Sequence, residues 1–111
     1  MKSIVLCLAS LCATLTASEL PKASADQLVH AIYIAEGGAK TRHPYGVLSV
    51  KTKDARRVTL NSVNNNWRRW EAAGRKGLFV DFMADRWCPV SSDPQGNANW
   101  KRNVKKMWRQ P

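Results

Sequence analysis

Apolar residues recur at three- and four-residue spacing along most of this chain, and that helical period limits the folds open to it. The stretch "ADQLVHAIYIAE" places Leu28, Ala31, Ile32 and Ala35 on one face of a helix. Three later stretches repeat the spacing. Their predicted inward faces are Leu60, Val63, Trp67 and Trp70, then Phe79, Phe82, Met83 and Trp87, and last Trp100, Val104, Met107 and Trp108. The sequence therefore predicts a mainly α fold with four amphipathic helices.

Residues that favour helix ends predict where these helices begin and stop. Ser24 with Gln27 forms a capping-box pattern for the first helix, and the glycines at 37–38 end it. Asp54 is the predicted N-cap of a second helix, which runs to Gly74. A third helix covers "LFVDFMADRW" and a fourth covers "NANWKRNVKKMWR", with its cap region at Asn97–Asn99.

The segment between the first two helices has a different pattern. In "HPYGVLSVKTK", turn residues precede Val47, Leu48 and Val50, which indicates a short extended segment or small hairpin. The chain has no repeats, long linkers or low-complexity tracts. The sequence therefore predicts a single small helical domain, residues 19–111, with a short β or extended insert after the first helix.

The N-terminal "MKSIVLCLASLCATLTAS" is typical of a secretory signal peptide, predicted here as residues 1–18. Lys2 supplies the positive region, and the apolar run that follows is too short to span a bilayer, so no transmembrane anchor is expected. Cleavage is predicted after Ala17 or Ser18, which makes the mature chain secreted or periplasmic. A buried N-terminal helix is the alternative interpretation.

Removal of the signal peptide lowers the number of cysteines and leaves the net charge almost unchanged. It takes two of the three cysteines and leaves Cys88, so no internal disulfide framework is expected, and Cys88 is interpreted as a packed small hydrophobe. The formal charge of +10 loses only Lys2. A basic exported protein is attracted to polyanions such as cell-wall polymers, anionic lipid or nucleic acid, and charge alone does not choose among them.

Glu36 is an acid at the end of an apolar helix and before two glycines. Desolvation beside apolar side chains and the negative pole of the helix both disfavour the ionised carboxylate, so the pKa of Glu36 is expected to rise. A carboxyl group that keeps its proton near neutral pH suits a general acid that cleaves glycosidic bonds. A solvent-facing residue in the last helical turn is the alternative.

The stretch "AEGGAKTRHPYGVLSV" resembles the lysozyme superfamily, in which a helix ends in Glu and glycine and a Tyr-Gly-Val/Ile-Leu segment follows. The helical half with "NNNWRRW", "FMADRWCP" and "NANWKRNV" supports the likeness. The resemblance implies an α+β lysozyme-like fold and cleavage of peptidoglycan, as in small bacterial and phage-type members, including soluble lytic transglycosylases.

Carried over by position, the resemblance implies that Glu36 is the catalytic acid and that Tyr45, Gly46 and Ser49 line the floor of the cleft. Ser49 departs from the Gln of the transglycosylase Gly-Leu-Met-Gln motif. No Asp or Glu occurs between Glu36 and Asp54, so the loop lacks the second carboxylate of two-acid lysozymes. A lytic transglycosylase, in which the substrate supplies its own hydroxyl, and a hydrolase that positions a water both remain open.

Further substrate-binding candidates are Asn65, Arg86 and Trp100. Asn61, Asn64 and Asn65 are predicted to share one polar face whose amides match N-acetyl groups, although such a face is more often simply solvated. Arg86 could steady a carboxylate in the cleft, or join Asp81 and Asp85 in pairs at the surface or between helices. Trp100 could approach the sugar from the last helix, or pack in the core as tryptophans on helical stripes usually do.

The histidines at 30 and 43 lack the spacing of a zinc site, so no metal and no cofactor is expected. Three functions are compatible with the sequence: a muramidase or lytic transglycosylase acting on peptidoglycan glycan strands, a non-catalytic lysozyme-like module that binds cell wall, and a cationic membrane-active or nucleic-acid-binding protein. The first is favoured, and specific nucleic-acid binding is not expected. A partner in an envelope assembly is possible for so small a chain.

Overall fold

The structure, a computed structural model, describes residues 19–40, 45 and 52–111. Four helices account for most of this part of the chain. They are α1 (Lys22–Ala35), α2 (Thr52–Ala72), α3 (Phe79–Trp87) and α4 (Pro94–Met107), with a short 3₁₀ turn at Gly38–Lys40. The predicted mainly helical fold is confirmed. The described ranges contain no strand, and the predicted signal peptide and the extended segment at 46–51 lie outside them.

The four helices pack as a closed ring. Helix α1 packs against α2 and α4, and α3 packs against the same two helices from the other side. The indole N–H of Trp108, after α4, donates to the carbonyl of Ser24 in the first turn of α1 at 2.9 Å. Ion pairs of Asp81 with Lys105 at 2.6 Å and of Asp85 with Lys101 at 3.0 Å join α3 to α4. The interhelical pairing predicted for these two aspartates is therefore present.

The core is built largely from aromatic rings that face one another across this ring of helices. Phe79 packs against Trp67 and Trp70 of α2, with ring centroids 4.9 and 5.7 Å apart, and against Trp108 at 6.1 Å. Most of the predicted inward faces are buried, but Met107 is 42% exposed. Trp100, Val104 and Trp108, spaced by four, occupy the buried stripe, so Met107 falls at its margin.

Several predicted helix starts are wrong. Helix α1 begins at Lys22 with Pro21 as N-cap and no side-chain cap, so Ser24 and Gln27 are not a capping box. The fixed φ of proline suits the entry to a helix, and it sets the start earlier than the polar pattern indicates.

Helix α2 begins at Thr52, so Asp54 lies inside the first turn rather than at the N-cap. There it pairs with Arg57 at 3.7 Å and still favours the positive end of the helix. Helix α4 begins at Pro94, ahead of the predicted start at Asn97. The carboxylate of Asp93 accepts a hydrogen bond from the N–H of Gly96 at 2.9 Å and caps this helix.

Candidate functional site

Glu36 is the C-cap of α1, where the chain leaves the helix. Its N–H donates to the carbonyl of Ile32 at 2.9 Å. Gly37 and Gly38 follow with φ of 103° and 55°, a left-handed backbone that L side chains rarely adopt. Gly38 also lies against Tyr33, where an added Cβ would come 3.4 Å from Cε2 of that ring. This tight turn holds the Glu36 side chain half-buried at the helix end.

Two indoles, one from α3 and one from α4, lie beside the Glu36 carboxyl group. Trp87 is the last residue of α3 and Trp100 lies within α4, and their rings stack with centroids 6.2 Å apart and planes 29° apart. Burial raises the pKa of Glu36 above its ordinary 4.5, and this outweighs the lowering by indole hydrogen bonds from Trp87 and then Trp100. The result is a carboxyl group whose protonated form is more favoured than in a solvent-exposed glutamate.

The two donors are not equivalent. Trp100 is only 4% exposed, and its Nε1 has no partner at full hydrogen-bond geometry among the described residues. Its effect on the Glu36 pKa is the smaller of the two indole effects. The site thus holds a buried N–H donor that a bound ligand or a shifted carboxylate would satisfy.

The other described carboxyl groups have a different environment. Asp26 is held by Lys22 and Arg56, and these hydrogen bonds lower its pKa. Lys101 and then Asn97 lower the pKa of Asp85 in the same way. Glu36 is the acid whose pKa is raised within the described ranges. A raised pKa distinguishes Glu36 from the ion-paired Asp26 and Asp85.

Cys88 follows Trp87 directly, and the charge of Glu36 affects the pKa of its thiol. Burial raises the pKa of this thiol, and the negative charges of Asp93 and Glu36 raise it further. A thiol with a raised pKa stays protonated and is a poor nucleophile. Cys88 is half-buried and free, and it adds apolar surface beside the carboxyl group.

Asn97 fixes the end of α3 that carries Trp87. It is 3% exposed, and its amide donates to the backbone carbonyl of Cys88 at 2.9 Å and to Asp85 Oδ1 at 3.1 Å. The sequence placed Asn97 in a capping region and Trp87 in the core. A tryptophan at a helix end directly before Cys88 and a proline was the signal available for Trp87, and nothing local indicated the role of Asn97.

Tyr45 lies at the same end of α1 but contacts other residues. Its ring packs against Tyr33 with centroids 5.1 Å apart, and its backbone φ is 63°. Burial raises the pKa of Tyr45, and the nearby charge of Arg56 lowers it in part. Tyr33 and Glu36 are neighbours three residues apart on α1, so Tyr45 reaches the edge of the site through Tyr33. Gly46 and Ser49 lie outside the described residues.

Asn65 and Arg86 lie together in a second place, away from the indoles. They line a groove between α2 and α3, which we call the α2–α3 groove, with a volume of about 350 Å³. Asn61 lines it too, whereas Asn64 lines a different groove beside Leu20 and Lys22. Asn64, which the sequence grouped with Asn61 and Asn65 on one face, therefore lines the groove on the α1 side of α2.

No group of three His, Cys, Asp or Glu side chains in the described part of the chain is arranged to hold a metal ion. His30 stacks on Tyr33 with centroids 6.3 Å apart. None of the described helices is both long and apolar enough to cross a membrane. No protein-family model, curated protein or solved structure matches this chain.

Proposed function

We propose that the protein is a peptidoglycan-cleaving glycosidase of lysozyme-like architecture, with Glu36 as its general acid. The observation that carries the proposal is the half-buried Glu36 carboxyl group at the end of α1, with its pKa raised by burial and its oxygens facing two indole N–H groups. The resemblance of "AEGGAKTRHPYGVLSV" to the lysozyme superfamily supports it. The finer α+β fold, with a β insert at 46–51, and export by residues 1–18 belong to the same proposal.

In this mechanism the protonated Glu36 donates its proton to the glycosidic oxygen as the bond to that oxygen breaks and positive charge develops on the sugar ring. The carboxylate that results is stabilised by the N–H groups of Trp87 and Trp100. It then accepts a proton from the attacking hydroxyl. That hydroxyl belongs either to the substrate, which gives an anhydro sugar, or to a water, which gives a reducing end.

The other acids of the described helices give little support to a second catalytic carboxylate. Asp54 is paired with Arg57 in the first turn of α2, and Asp81 and Asp85 are paired with lysines of α4. A single acid is sufficient for a lytic transglycosylase because the substrate supplies the nucleophile. The single-acid site therefore favours that reaction over two-acid hydrolysis.

Digestion of purified peptidoglycan tests the proposal, with products identified by mass spectrometry. Wild-type protein is expected to release anhydromuramyl ends, and Glu36→Gln is expected to release none. Glu19→Gln, at an exposed carboxyl group before α1, is the matched control and should cleave normally. Loss of cleavage in Asp54→Asn would reveal a second acid.

Reducing ends in place of anhydro ends would assign a hydrolase. A folded wild-type protein that binds peptidoglycan but releases nothing would replace the enzyme with a non-catalytic wall-binding module. That module would bind equally well after Glu36→Gln.

A further inference from the structure

The α2–α3 groove is lined almost entirely by polar side chains, and no carboxylate lines it. Its wall consists of Val58, Asn61, Ser62, Asn65, Asn66, Arg69 and Arg86. Glu36 is not among these residues. A concave surface with several donors and two guanidinium groups is suited to an anionic ligand.

The hydrogen bonds of the groove leave its donors available. Arg69 and Arg86 make no ion pair with a described residue, whereas most other arginines of α2 and its following loop are paired. Asn65 uses its carbonyl oxygen to accept from Arg68 at 2.7 Å, so its NH₂ group remains free to donate. The hydroxyl oxygen of Ser62 accepts from Asn66 at 3.2 Å, which leaves the Ser62 hydrogen to donate elsewhere.

One acceptor in the wall is unsatisfied. Asn66 is 8% exposed, its Nδ2 donates to the carbonyl of Ser62 at 2.9 Å, and its Oδ1 is buried without a hydrogen-bond partner among the described residues. A buried carbonyl oxygen without a hydrogen-bond partner is unfavourable, so this site favours a ligand that brings an N–H group. The groove therefore combines donors for an anion with an acceptor for an amide.

The groove is connected to the Glu36 site through α3. Arg86 lines the groove and Trp87 contacts Glu36, and these residues are consecutive, with Cα atoms about 3.8 Å apart. The end of α3 therefore contributes one residue to the groove and the next residue to the Glu36 site.

We propose that the α2–α3 groove binds a carboxylate of the peptidoglycan strand, held by Arg69 and Arg86, next to an amide N–H that approaches Asn66. The inference rests on the proposed function, since it names the part of that substrate that the groove recognises. Guanidinium groups bind phosphate as readily as carboxylate, and the unsatisfied Asn66 acceptor selects a carboxylate that has an amide beside it. The peptide stem supplies carboxylates, and the lactyl group of muramic acid supplies one where it carries no stem.

Binding is measured by calorimetry with the full chain carrying Glu36→Gln, so that the probes are not cleaved. Three probes separate the sources: a chitooligosaccharide without carboxylates, a peptide-free muramyl strand with lactyl carboxylates, and a muropeptide with its stem. Arg86→Gln and Arg69→Gln are compared with Arg102→Gln. Arg102 is exposed on α4 and lines none of the groove, so the control removes the same charge elsewhere.

Arg86→Gln is expected to weaken muropeptide binding about tenfold, equivalent to about 1.4 kcal/mol, with little change for the chitooligosaccharide or in the Arg102→Gln control. A similar loss with the peptide-free strand would assign the lactyl carboxylate, and a loss confined to the muropeptide would assign the stem. Equal affinities in all three arginine variants, or a wild-type groove that gives carboxylated probes no advantage over chitooligosaccharide, would overturn the inference.

Cleavage is measured separately, with Glu36 intact. Normal cleavage by Arg86→Gln of both stripped and peptide-bearing strands, together with unchanged binding, would remove the groove's role and leave the proposed function standing. If the wild-type protein cleaves nothing but binds the muropeptide, and Arg86→Gln weakens that binding, the proposed function would fail and the role of the groove would stand.

Discussion

The Glu36 carboxyl group is held in an environment that opposes its ionised form. Because its pKa is higher in the folded chain than the ordinary 4.5, the folded state binds more protons than the unfolded state over the interval between the two values. The free energy of unfolding attributable to Glu36 therefore falls as pH rises through that interval, and it stays low above the folded pKa. The burial that raises the Glu36 pKa therefore costs some stability at neutral pH.

Glu36→Gln is accordingly expected to stabilise the protein at neutral pH. Glutamine keeps an oxygen for the Trp87 and Trp100 N–H groups and removes the buried charge. The gain should be at most about 1 kcal/mol, because solvent screens a half-buried group. Urea unfolding of both proteins should show the difference at pH 8 and little of it at pH 4. A variant that is less stable at both pH values would contradict this environment for Glu36.

The indole of Trp87 acts in the opposite direction to burial, and its removal should raise the Glu36 pKa further. Trp87→Phe keeps an aromatic ring against Trp100 and deletes the N–H that favours the carboxylate. Titration of the Glu36 carboxyl carbon by ¹³C NMR should show the pKa moving upward, and the alkaline limb of a pH–activity profile should move with it.

Trp70→Phe is the matched control for that titration. The Trp70 indole donates to the carbonyl of Lys76 at 3.3 Å, so its removal deletes an N–H elsewhere in the core. The Glu36 pKa should stay unchanged in this control. A downward shift in Trp87→Phe would mean that the indole mainly desolvates the carboxyl group rather than donating to it.

Among the elements, helix α4 shows what sequence could and could not predict. The spacing of Trp100, Val104 and Trp108 predicted both the helix and its buried stripe, because burial of one face follows the helical period. The start was misplaced because Asn97 was interpreted as part of a cap, whereas Asp93 with Pro94 forms the actual start. Asn97 instead bonds across to α3, a contact that depends on how two helices pack and leaves no local pattern.

That contact predicts an unusually costly substitution for a polar residue. Asn97→Ala removes the amide that donates to the Cys88 carbonyl and leaves that carbonyl oxygen without its partner. The free energy of unfolding should therefore fall by about 1–3 kcal/mol. Urea denaturation measures the loss. The indole of Trp87 should also become more exposed to solvent, since the end of α3 is no longer held against α4. Tryptophan fluorescence emission reports this change.

Asn99→Ala provides the comparison on the same helix. Asn99 accepts hydrogen bonds from Gln95 and Arg102 at the surface, and its loss should cost less than about 0.5 kcal/mol. Equal losses for the two variants would mean that Asn97 acts only through helix propensity.

Over the whole molecule, the site depends on residues distant in sequence. Glu36 ends α1, Trp87 ends α3 and Trp100 lies in α4, and only the closed ring of helices brings them together. The place of Glu36 at the helix end and its raised pKa could be predicted, since an isolated Glu before two glycines at the end of an apolar helix is a local pattern. The pair of indoles around it could not, because their apolar spacing is equally that of core residues.

The fold also limits how the basic chain can interact with an anionic lipid membrane. The apolar face of α4 would suit an amphipathic helix on anionic lipid if it were free. In the folded chain Trp100, Val104 and Trp108 are at most 5% exposed, and Trp108 is tied to Ser24 of α1. Lysines of the same helix remain near the surface, and Lys101 and Lys105 are paired with aspartates of α3. Folded α4 therefore retains charge for adsorption, and its tryptophan face is not available for insertion.

The folded chain is thus expected to bind anionic vesicles reversibly and without leakage. Binding should disappear between about 0.01 M and about 1 M salt, over which the Debye length shortens from about 30 Å to about 3 Å. Vesicle sedimentation measures the binding, and release of an entrapped dye measures leakage. A synthetic peptide of residues 94–111, whose tryptophan face is uncovered, should cause leakage at the same concentration. Leakage by the full chain that survives high salt would show that α4 leaves the core at the membrane, and the membrane-active function would then replace the enzymatic one.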